Sequence, residues 1–293
     1  MGERVRYDGG HKENVIIKEI FGKFADFVPV CPETESGLPT PRDPLILVKT
    51  EDVKILSKNN KKDYTPIFKK WMNQKISELK SQDIDGIILK SKSPSCGLSV
   101  DIFDLHGKVI EKGPGIWAKK CFEYFSNLPL IDEITIYNFR KRENFLCSIF
   151  IIKRWKDVYN FETLYHFHNF HKIFLRSKSK TLFKNLEDLI KKAEGFEKTY
   201  SKYSEILNKI LKKEINKDFF KNLILEFKDY LPKDCEKLMK FYQEEHVNDV
   251  LVIEILRYWL KIYSIEELKN QFYFIPLPFE FDSRYINLNR GNY

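Results

Sequence analysis

Residues 84–97 read IDGIILKSKSPSCG, in which a short apolar run rich in β-branched side chains stops at a serine-rich turn that presents a cysteine. The run DFVPV at 26–30 ends in the same way, at another cysteine. Both runs have the length and composition of strands. Between them, residues 63–80 place apolar side chains close to helical spacing. Strands that alternate with helices predict an α/β N-terminal domain with a mostly parallel sheet, which we place at residues 1–150.

The pattern changes at about residue 151, where helical periodicity replaces the alternation. Glycine almost vanishes, since only Gly195 precedes Gly291 near the end of the chain. Four segments of this half carry apolar residues three and four positions apart. They are FKNLEDLIKKAEGF (183–196), YSEILNKILKK (203–213), FFKNLILEFKDYL (219–231) and VLVIEILRYWLKIY (250–263). We therefore predict an all-α C-terminal domain at residues 151–293, with five to seven helices.

The composition is that of an ordinary globular protein with an excess of positive charge. Hydrophobic residues make up 43% and charged residues 31% of the 293 positions, and the formal net charge is +8. The charge favours a polyanionic partner, although solvated lysine-rich helices would produce it equally well. No stretch reaches the roughly 20 apolar residues of a membrane span. The polar first residues do not resemble a signal peptide, so we expect a cytoplasmic protein.

The cysteines are too few and too irregular for a disulfide framework. There are five, an odd number, and the expected compartment is reducing. Thiol chemistry, metal chemistry and plain burial are the alternatives.

Cys31 and Cys96 each follow a predicted strand directly. In parallel sheets, binding sites form in the turns beyond the carboxyl ends of the strands, so we expect both cysteines in one site. Hydroxyl and N–H groups of such polar turns tune metal–sulfur centres, and the nearby cations Arg42, Lys90 and Lys92 favour a thiolate. The wide spacing of the cysteines excludes a zinc ribbon and a CxxC pair. It leaves open a metal cluster, a cysteine nucleophile and simple burial.

Four segments within residues 1–135 resemble, in order, the signature motifs of the bacterial thiouracil desulfidase family (TudS-like). They are GERVRYDGGHK (2–12), PVCPETESGLPTPR (29–42), ILKSKSPSCG (88–97) and GPGIWA (113–118). The resemblance implies a 4Fe-4S cluster held by three cysteines, with one iron left open. That iron would take the sulfur from a thiolated pyrimidine while water replaces it on the ring carbon, a reaction that suits a soft Lewis acid.

The resemblance also implies roles for individual residues. The metal ligands it implies are Cys31 and Cys96. The implied catalytic residues, which would transfer protons, are Asp8, Glu33, Ser93 and Ser95. The implied substrate-binding residues are Arg6, Tyr7, Arg42, Lys90 and Gly97.

The third cysteine of the family has no counterpart in this chain. In the family it precedes the RYDG motif, at a position that would lie two residues before Met1 here. Two explanations compete: a true start further upstream, and a degenerate relative with two ligands. We favour the first. We expect Cys121, on the apolar face of a predicted helix, to be a core residue rather than a substitute ligand.

Residues 161–184, FETLYHFHNFHKIFLRSKSKTLFK, form a basic segment with interleaved aromatic side chains. No acidic residue occurs between residues 163 and 186. A zinc site would lack a third ligand here. Two interpretations stay open: a surface helix with partly buried histidines, and a strip that binds RNA phosphates. On the second interpretation, the RNA-binding residues are His168, His171, Lys172, Arg176, Lys178 and Lys180.

The second half resembles the YbgA-like domain, which often follows TudS-like domains. FHNFHK (167–172) matches an FHxxHK motif of that family, and LKNQFYFIPLP (268–278) matches its ending. Fusions of this kind are similar to the RudS-type desulfidases, which implies iron–sulfur-dependent conversion of 4-thiouridine in tRNA to uridine. The alternatives are desulfuration of free thiouracil, and a non-catalytic RNA-binding protein that has lost its cluster. We expect thiolated tRNA as the partner, and neither DNA nor a membrane.

Overall fold

The computed structural model describes residues 1–274 and divides the chain into two compact units, Met1–Tyr137 and Asn138–Tyr293. The predicted boundary at residue 150 falls inside a helix, Phe139–Trp155 (α4), which packs into the core of the second unit. The inward side of α4 begins with two buried charged residues, Arg142 and Glu143. Apolar periodicity cannot detect a buried face of that kind, so the prediction placed the boundary too late.

Within residues 1–137, all of which the structure describes, the strands form two small sheets. They are Leu45–Lys49 (β1), Val53–Ser57 (β2), Ile87–Leu89 (β3), Val100–Phe103 (β4), Val109–Gly113 (β5) and Leu130–Asp132 (β6). One sheet has the order β2-β1-β4-β5, with β1 and β4 parallel and the outer pairs antiparallel. β3 and β6 form a separate parallel pair. The α/β class is confirmed, and the strand pairing is mixed.

The two strands predicted before the cysteines have different outcomes. Residues 84–90 contain β3, as predicted. Residues 26–30 form no strand in the described structure: Val28 is 46% exposed, and Pro29 lacks the N–H group that strand pairing uses. The approach to Cys31 is therefore an irregular segment rather than a strand.

Three helices of the first unit surround the cysteine turns. They are Pro32–Glu35 (α1), Thr65–Ser81 (α2) and Ile116–Tyr124 (α3). α2 begins with a proline in its first turn, where the missing N–H costs nothing. Its Trp71 meets Trp117 of α3 with ring centroids 4.9 Å apart. Cys96 belongs to the same core cluster, so the second cysteine turn rests on the core of this unit.

The second unit is helical throughout its described part, residues 138–274, which confirms the predicted all-α domain. After α4 the helices are Phe161–Lys178 (α5), Lys180–Lys191 (α6), Phe196–Leu211 (α7), Lys217–Leu225 (α8), Pro232–Gln243 (α9), Asp249–Ile262 (α10) and Glu266–Lys269 (α11), followed by a 3₁₀ turn, Phe272–Phe274. Asparagine side chains accept hydrogen bonds from the first-turn N–H groups of four of them, and so fix where these helices begin. These caps are Asn138, Asn160, Asn216 and Asn248.

The basic segment predicted at 161–184 becomes α5 and the start of α6. α5 packs against α6, α7 and α8, and its aromatic residues Phe167 and Phe174 are buried. Phe174 contacts Phe219 of α8 at 5.6 Å between ring centroids. Phe167 and Phe174 therefore belong to the core face of this helix, whereas Tyr165 is 44% exposed. Every helix within residues 1–274 is too short or too polar to cross a membrane.

Candidate functional site

The structure brings the two cysteine turns together. Cys31 lies directly before α1, and its backbone N–H donates to Glu35 Oε1 at 2.8 Å. Cys96 lies in the turn between β3 and β4. The two turns meet through Ser95, whose hydroxyl donates to Glu33 Oε1 at 2.7 Å. Segments about sixty positions apart in the chain thus form one site.

Glu33 is the centre of the hydrogen-bond network at this site. Its Oε1 accepts from Ser95 and, at 3.4 Å, from Ser93 Oγ. Its Oε2 accepts from Nε and Nη2 of Arg42, at 2.9 and 2.5 Å. The side chains of Arg42 and Glu33 are 5% and 13% exposed, so this pair, with two N–H groups on one carboxylate oxygen, is largely shielded from water. It fixes the carboxylate and directs Oε1 at the serine hydroxyls.

Arg42 also anchors the segment that carries Arg6, Tyr7 and Asp8. Its Nη2 donates to Val5 O at 2.9 Å, and its backbone N–H donates to Tyr7 O at 2.7 Å. Arg6 and Asp8 pair with each other at 3.1 Å at the surface, and Tyr7 is 44% exposed. The segment is attached to the site through its backbone, while its three predicted side chains stay accessible to solvent.

Gly97 and Gly115 allow the GPGIWA segment to pack against the second cysteine turn. A Cβ on Gly97 would lie 2.3 Å from a methyl group of Val100 and 2.9 Å from Ser93 O. A Cβ on Gly115 would lie 2.5 Å from Ser95 O, and the N–H of Gly115 donates to Gly97 O at 2.8 Å. Gly97, predicted as a substrate contact, therefore has a packing role in the structure.

The two cysteine thiols differ in burial. Cys31 is half-buried, whereas Cys96 is 8% exposed. Burial raises the pKa of the Cys96 thiol far above its ordinary value; a hydrogen bond from Ser95 lowers this pKa in part, and the charge of Glu33 raises it further. A thiolate at Cys96 therefore needs a compensating positive charge, which a bound metal supplies.

The resemblance implies that Cys31 and Cys96 are two of three cysteines that hold a 4Fe-4S cluster. The charges of Cys31 and of Cys121 each contribute to raising the pKa of Cys96, so all three cysteines lie in one neighbourhood. Cys121 is 1% exposed in α3, and burial raises its pKa to about 12, so it is the core residue expected from the sequence. Among residues 1–274, no three His, Cys, Asp or Glu side chains are grouped so that they could hold a metal ion. The described residues therefore do not by themselves form a complete metal site, and Cys31 and Cys96 are the two of them that match the family's cysteine motifs.

Sequence reasoning missed Glu133, which holds the start of the second cysteine turn. Its carboxylate pairs with Lys90 Nζ and accepts from the N–H and the hydroxyl of Ser91, at 2.6 and 2.7 Å. Its backbone N–H donates to Leu89 O, and its carbonyl accepts from the amide of Asn14 at 2.9 Å. Lys90, predicted to bind substrate, is therefore paired with a buried acid. The available signal was that two acidic residues, Asp132 and Glu133, directly follow the apolar run LPLI at 128–131.

The predicted RNA-binding histidines are inside the helical unit rather than on its surface. His168 is 8% exposed, lies 3.1 Å from the hydroxyl of Tyr203 and stacks on Phe183. His171 is fully buried, and its Nδ1–H donates to Phe167 O at 2.8 Å. Burial lowers the pKa of His168 to about 4 and that of His171 to about 3. Both are neutral near pH 7, and neither reaches a phosphate from this position.

The cations of the same segment differ in their exposure and in their partners. Arg176 forms a bidentate pair with Glu226 of α8. Lys178 Nζ donates to Asn144 Oδ1 at 2.5 Å and to Leu211 O at 2.8 Å, and burial lowers its pKa to about 7. Lys172 is half-buried and Lys180 is exposed. The partners of Arg176 and Lys178 come from other helices, so the local sequence could not show them.

Comparisons with known proteins confirm both resemblances. Residues 1–133 match the family model of 2-thiouracil desulfurase, and residues 172–278 match that of a protein of unknown function, DUF1722. Residues 275–278 of the second match lie outside the described structure. A solved structure described as a [4Fe-4S]-dependent thiouracil desulfidase, TudS, is 25% identical, covers 46% of this chain and 87% of its own, and superposes with a TM-score of 0.36. No curated protein matches the chain.

Proposed function

We propose that this chain, whose residues 1–133 match the 2-thiouracil desulfurase family, is an iron–sulfur-dependent desulfidase that converts 4-thiouridine in tRNA to uridine. The observation that carries the proposal is the convergence of the Cys31 and Cys96 turns on the Glu33 carboxylate, within the matched domain. Cys31 and Cys96 would hold the cluster, which supplies a soft Lewis acid that prefers sulfur to oxygen.

The polar residues beside Cys96 support proton handling at this site. Ser93 Oγ and Ser95 Oγ lie 2.8 Å apart, and Ser95 donates to Glu33. These three groups form a continuous hydrogen-bonded path that runs along the cysteine turn. Replacing sulfur by water on a pyrimidine ring requires the water to lose protons, and a path of this kind can accept and hold them. Arg42 would keep the carboxylate in place during this step.

The choice of tRNA over a free base rests on the attached helical domain and the net charge of +8. A free thiolated base needs no polyanion-binding surface, whereas tRNA does. The test is anaerobic reconstitution with iron and sulfide, followed by incubation with bulk tRNA and, separately, with free thiouracil. We expect loss of 4-thiouridine absorbance from tRNA, and no loss with Cys96→Ser. Reaction of the free base alone would favour the free-thiouracil alternative.

A non-catalytic RNA-binding protein is the second candidate, because no three His, Cys, Asp or Glu side chains within residues 1–274 are grouped so that they could hold a metal ion. Iron and sulfide content after reconstitution separates the two candidates. A chain that binds tRNA but retains no cluster would support the non-catalytic candidate. The same measurement on a version that carries a cysteine two positions before Met1 tests whether the expected third ligand restores the cluster.

A further inference from the structure

The end of α7 and the beginning of α6 meet at one corner of the helical unit. Lys178, two residues before α6 begins, donates from Nζ to the carbonyl of Leu211, the last residue of α7, at 2.8 Å. The N-terminal turn of α6 and the C-terminal turn of α7 are therefore neighbours. Five exposed lysines occupy these two turns and the residues just beyond them. This lysine corner consists of Lys180, Lys184, Lys209, Lys212 and Lys213.

The lysines of the corner form no ion pairs within residues 1–274, whereas Lys198 and Lys217 nearby in sequence pair with Glu194 and Glu245. Glu214, which follows Lys213 in the chain, lies 3.2 Å from Lys141. Acids at helical spacing from Lys184 and Lys209 form no ion pair with them; these acids are Glu187, Asp188 and Glu205. The first turn of α6 contains no acid. Lys180 thus adds a positive charge to the positive end of a helix, an arrangement that disfavours the folded state and is not explained by stability.

The stretch of chain that carries the lysine corner has no large exposed apolar side chain. Between Tyr165 and Leu225, all of it within the described residues, none is exposed. Surfaces that enter membranes carry exposed apolar residues, and the centres of protein interfaces carry aromatic anchors. Clustered lysines without apolar neighbours suit a phosphodiester backbone, where contacts position the nucleic acid without reading its bases.

We propose that the lysine corner is the surface through which the helical domain holds the phosphate backbone of its RNA substrate. The choice of RNA rests on the proposed function. The proposal replaces the predicted strip along α5, because His168, His171, Arg176 and Lys178 are buried or engaged within the unit. Of the six predicted residues, Lys180 belongs to the new surface.

The test compares two triple variants of the full chain. Lys180→Gln/Lys184→Gln/Lys212→Gln removes three charges from the corner. Lys198→Gln/Lys217→Gln/Lys240→Gln removes three from lysines that pair with acids elsewhere. We expect the corner variant to bind bulk tRNA at least tenfold more weakly near 100 mM salt, and the slope of log K against log salt to fall by about 2–3. The control variant should bind as the parent does.

Equal loss in both variants, no loss in the corner variant, or a parent that does not bind tRNA would each overturn the proposal. So would a corner variant that loses binding only to vesicles containing phosphatidylserine. Desulfuration of 4-thiouridine in bulk tRNA is measured on the reconstituted parent protein. If that reaction is absent but the corner variant still binds tRNA more weakly, the proposed activity is refuted and the proposed RNA-binding surface is supported. If the reaction proceeds but the corner variant binds tRNA as the parent does, the proposed surface is refuted and the proposed activity is supported.

Discussion

Charged side chains at the cysteine site act in pairs. Glu33 is fixed by Arg42, and Lys90 is fixed by Glu133, each through contacts shielded from water on at least one partner. In both pairs the acid also binds a serine of the second cysteine turn. Glu133 therefore holds the beginning of the second cysteine turn and Glu33 holds its end, so these two carboxylates determine where the turn lies.

Replacing Ser95 by alanine should impair chemistry more than folding. The substitution removes the 2.7 Å hydrogen bond to Glu33 and interrupts the path to Ser93. A lost proton-transfer group typically costs about 10²-fold or more in rate. We expect a fall of that size in kcat, with KM little changed. Ser99→Ala, at an exposed serine of the same loop, is the control, and an equal effect of both substitutions would contradict the role.

Glu133→Gln should loosen the cysteine turn. A neutral amide leaves Lys90 unpaired and weakens the bonds to Ser91, which we expect to lower the free energy of unfolding by about 1–3 kcal/mol. Urea denaturation measures this value. The matched control is Glu111→Gln, at an exposed position of β5. An unfolding curve for Glu133→Gln that coincides with that of the control would show that the pair contributes nothing.

How far the sequence predicts this site depends on where the partners lie in the chain. Cys31, Glu33 and Arg42 share one loop, so their neighbourhood could be inferred from a motif. Glu133 reaches Ser91 only because β3 and β6 pair in parallel, with Leu89 opposite Asp132. A local pattern contains no information about such a pairing, and this contact was missed.

Helices and strands position the site through close backbone packing as well as through side chains. α3 begins directly after Gly115, and the N–H groups of Trp117 and Ala118 donate to Ser95 O at 2.9 and 3.2 Å. The first turn of this helix therefore binds the backbone of the cysteine turn. The periodicity of α3 was visible in the sequence, but this docking was not, because it depends on a missing Cβ.

Gly115→Ala should displace the cysteine turn from α3. The added Cβ would lie 2.5 Å from Ser95 O, closer than real contacts allow, and the obstacle is backbone rather than a flexible side chain. We expect destabilisation of about 1–3 kcal/mol, together with reduced iron retention after reconstitution. Gly22→Ala, whose nearest contact would be an ordinary 3.7 Å, is the control. Unchanged stability and iron content in Gly115→Ala would refute the packing role.

In α5, too, the contacts with other elements could not be inferred from the local pattern. Its amphipathic pattern and its basic residues were recognised, but the assignment of faces was wrong for both histidines. Aromatic residues interleaved with cations fit a stacking surface and a core equally well on periodicity alone. The neighbours α6, α7 and α8 decide between them, and they bury the aromatic side.

Across the whole chain, each unit has its own core, and the two respond differently to acid. His168 and His171 are buried in the helical unit, whereas His11 and His106 of the first unit are exposed. In the unfolded chain a histidine takes up a proton near pH 6.5, but in the folded helical unit it does so only near pH 4 or 3. The unfolded state therefore binds more protons between these values, and the free energy of unfolding decreases as the pH is lowered.

We expect the helical unit to lose about 2–3 kcal/mol for each of the two histidines between pH 7 and pH 4.5. In calorimetry of the full chain, the transition of the helical unit should move to lower temperature as the pH is lowered, while the transition of the first unit should not. His171→Leu should reduce the shift, because the residue that resists protonation is gone. A transition that does not move over this range, or moves equally in the variant, would contradict the assignment.

The order α/β then all-α was predictable from composition and periodicity, because both are properties of long segments. The position of the boundary was not, since α4 buries Arg142 and Glu143 on its inner side. The surface proposed for RNA could not be predicted either. It depends on which lysines lack acidic partners, and those partners come from helices far apart in the chain.

The anchoring of the second cysteine turn by Glu133 has a consequence for the timing of cofactor assembly. During synthesis, Cys31 and Cys96 emerge from the ribosome well before residue 133. Until β6 pairs with β3, Glu133 cannot reach Lys90 and Ser91, and the turn that presents Cys96 lacks one of its anchors. The full set of contacts that positions both thiols therefore exists only after nearly the whole first unit has been made. On the proposed function, iron and sulfide would then be delivered to a folded acceptor rather than to an emerging chain.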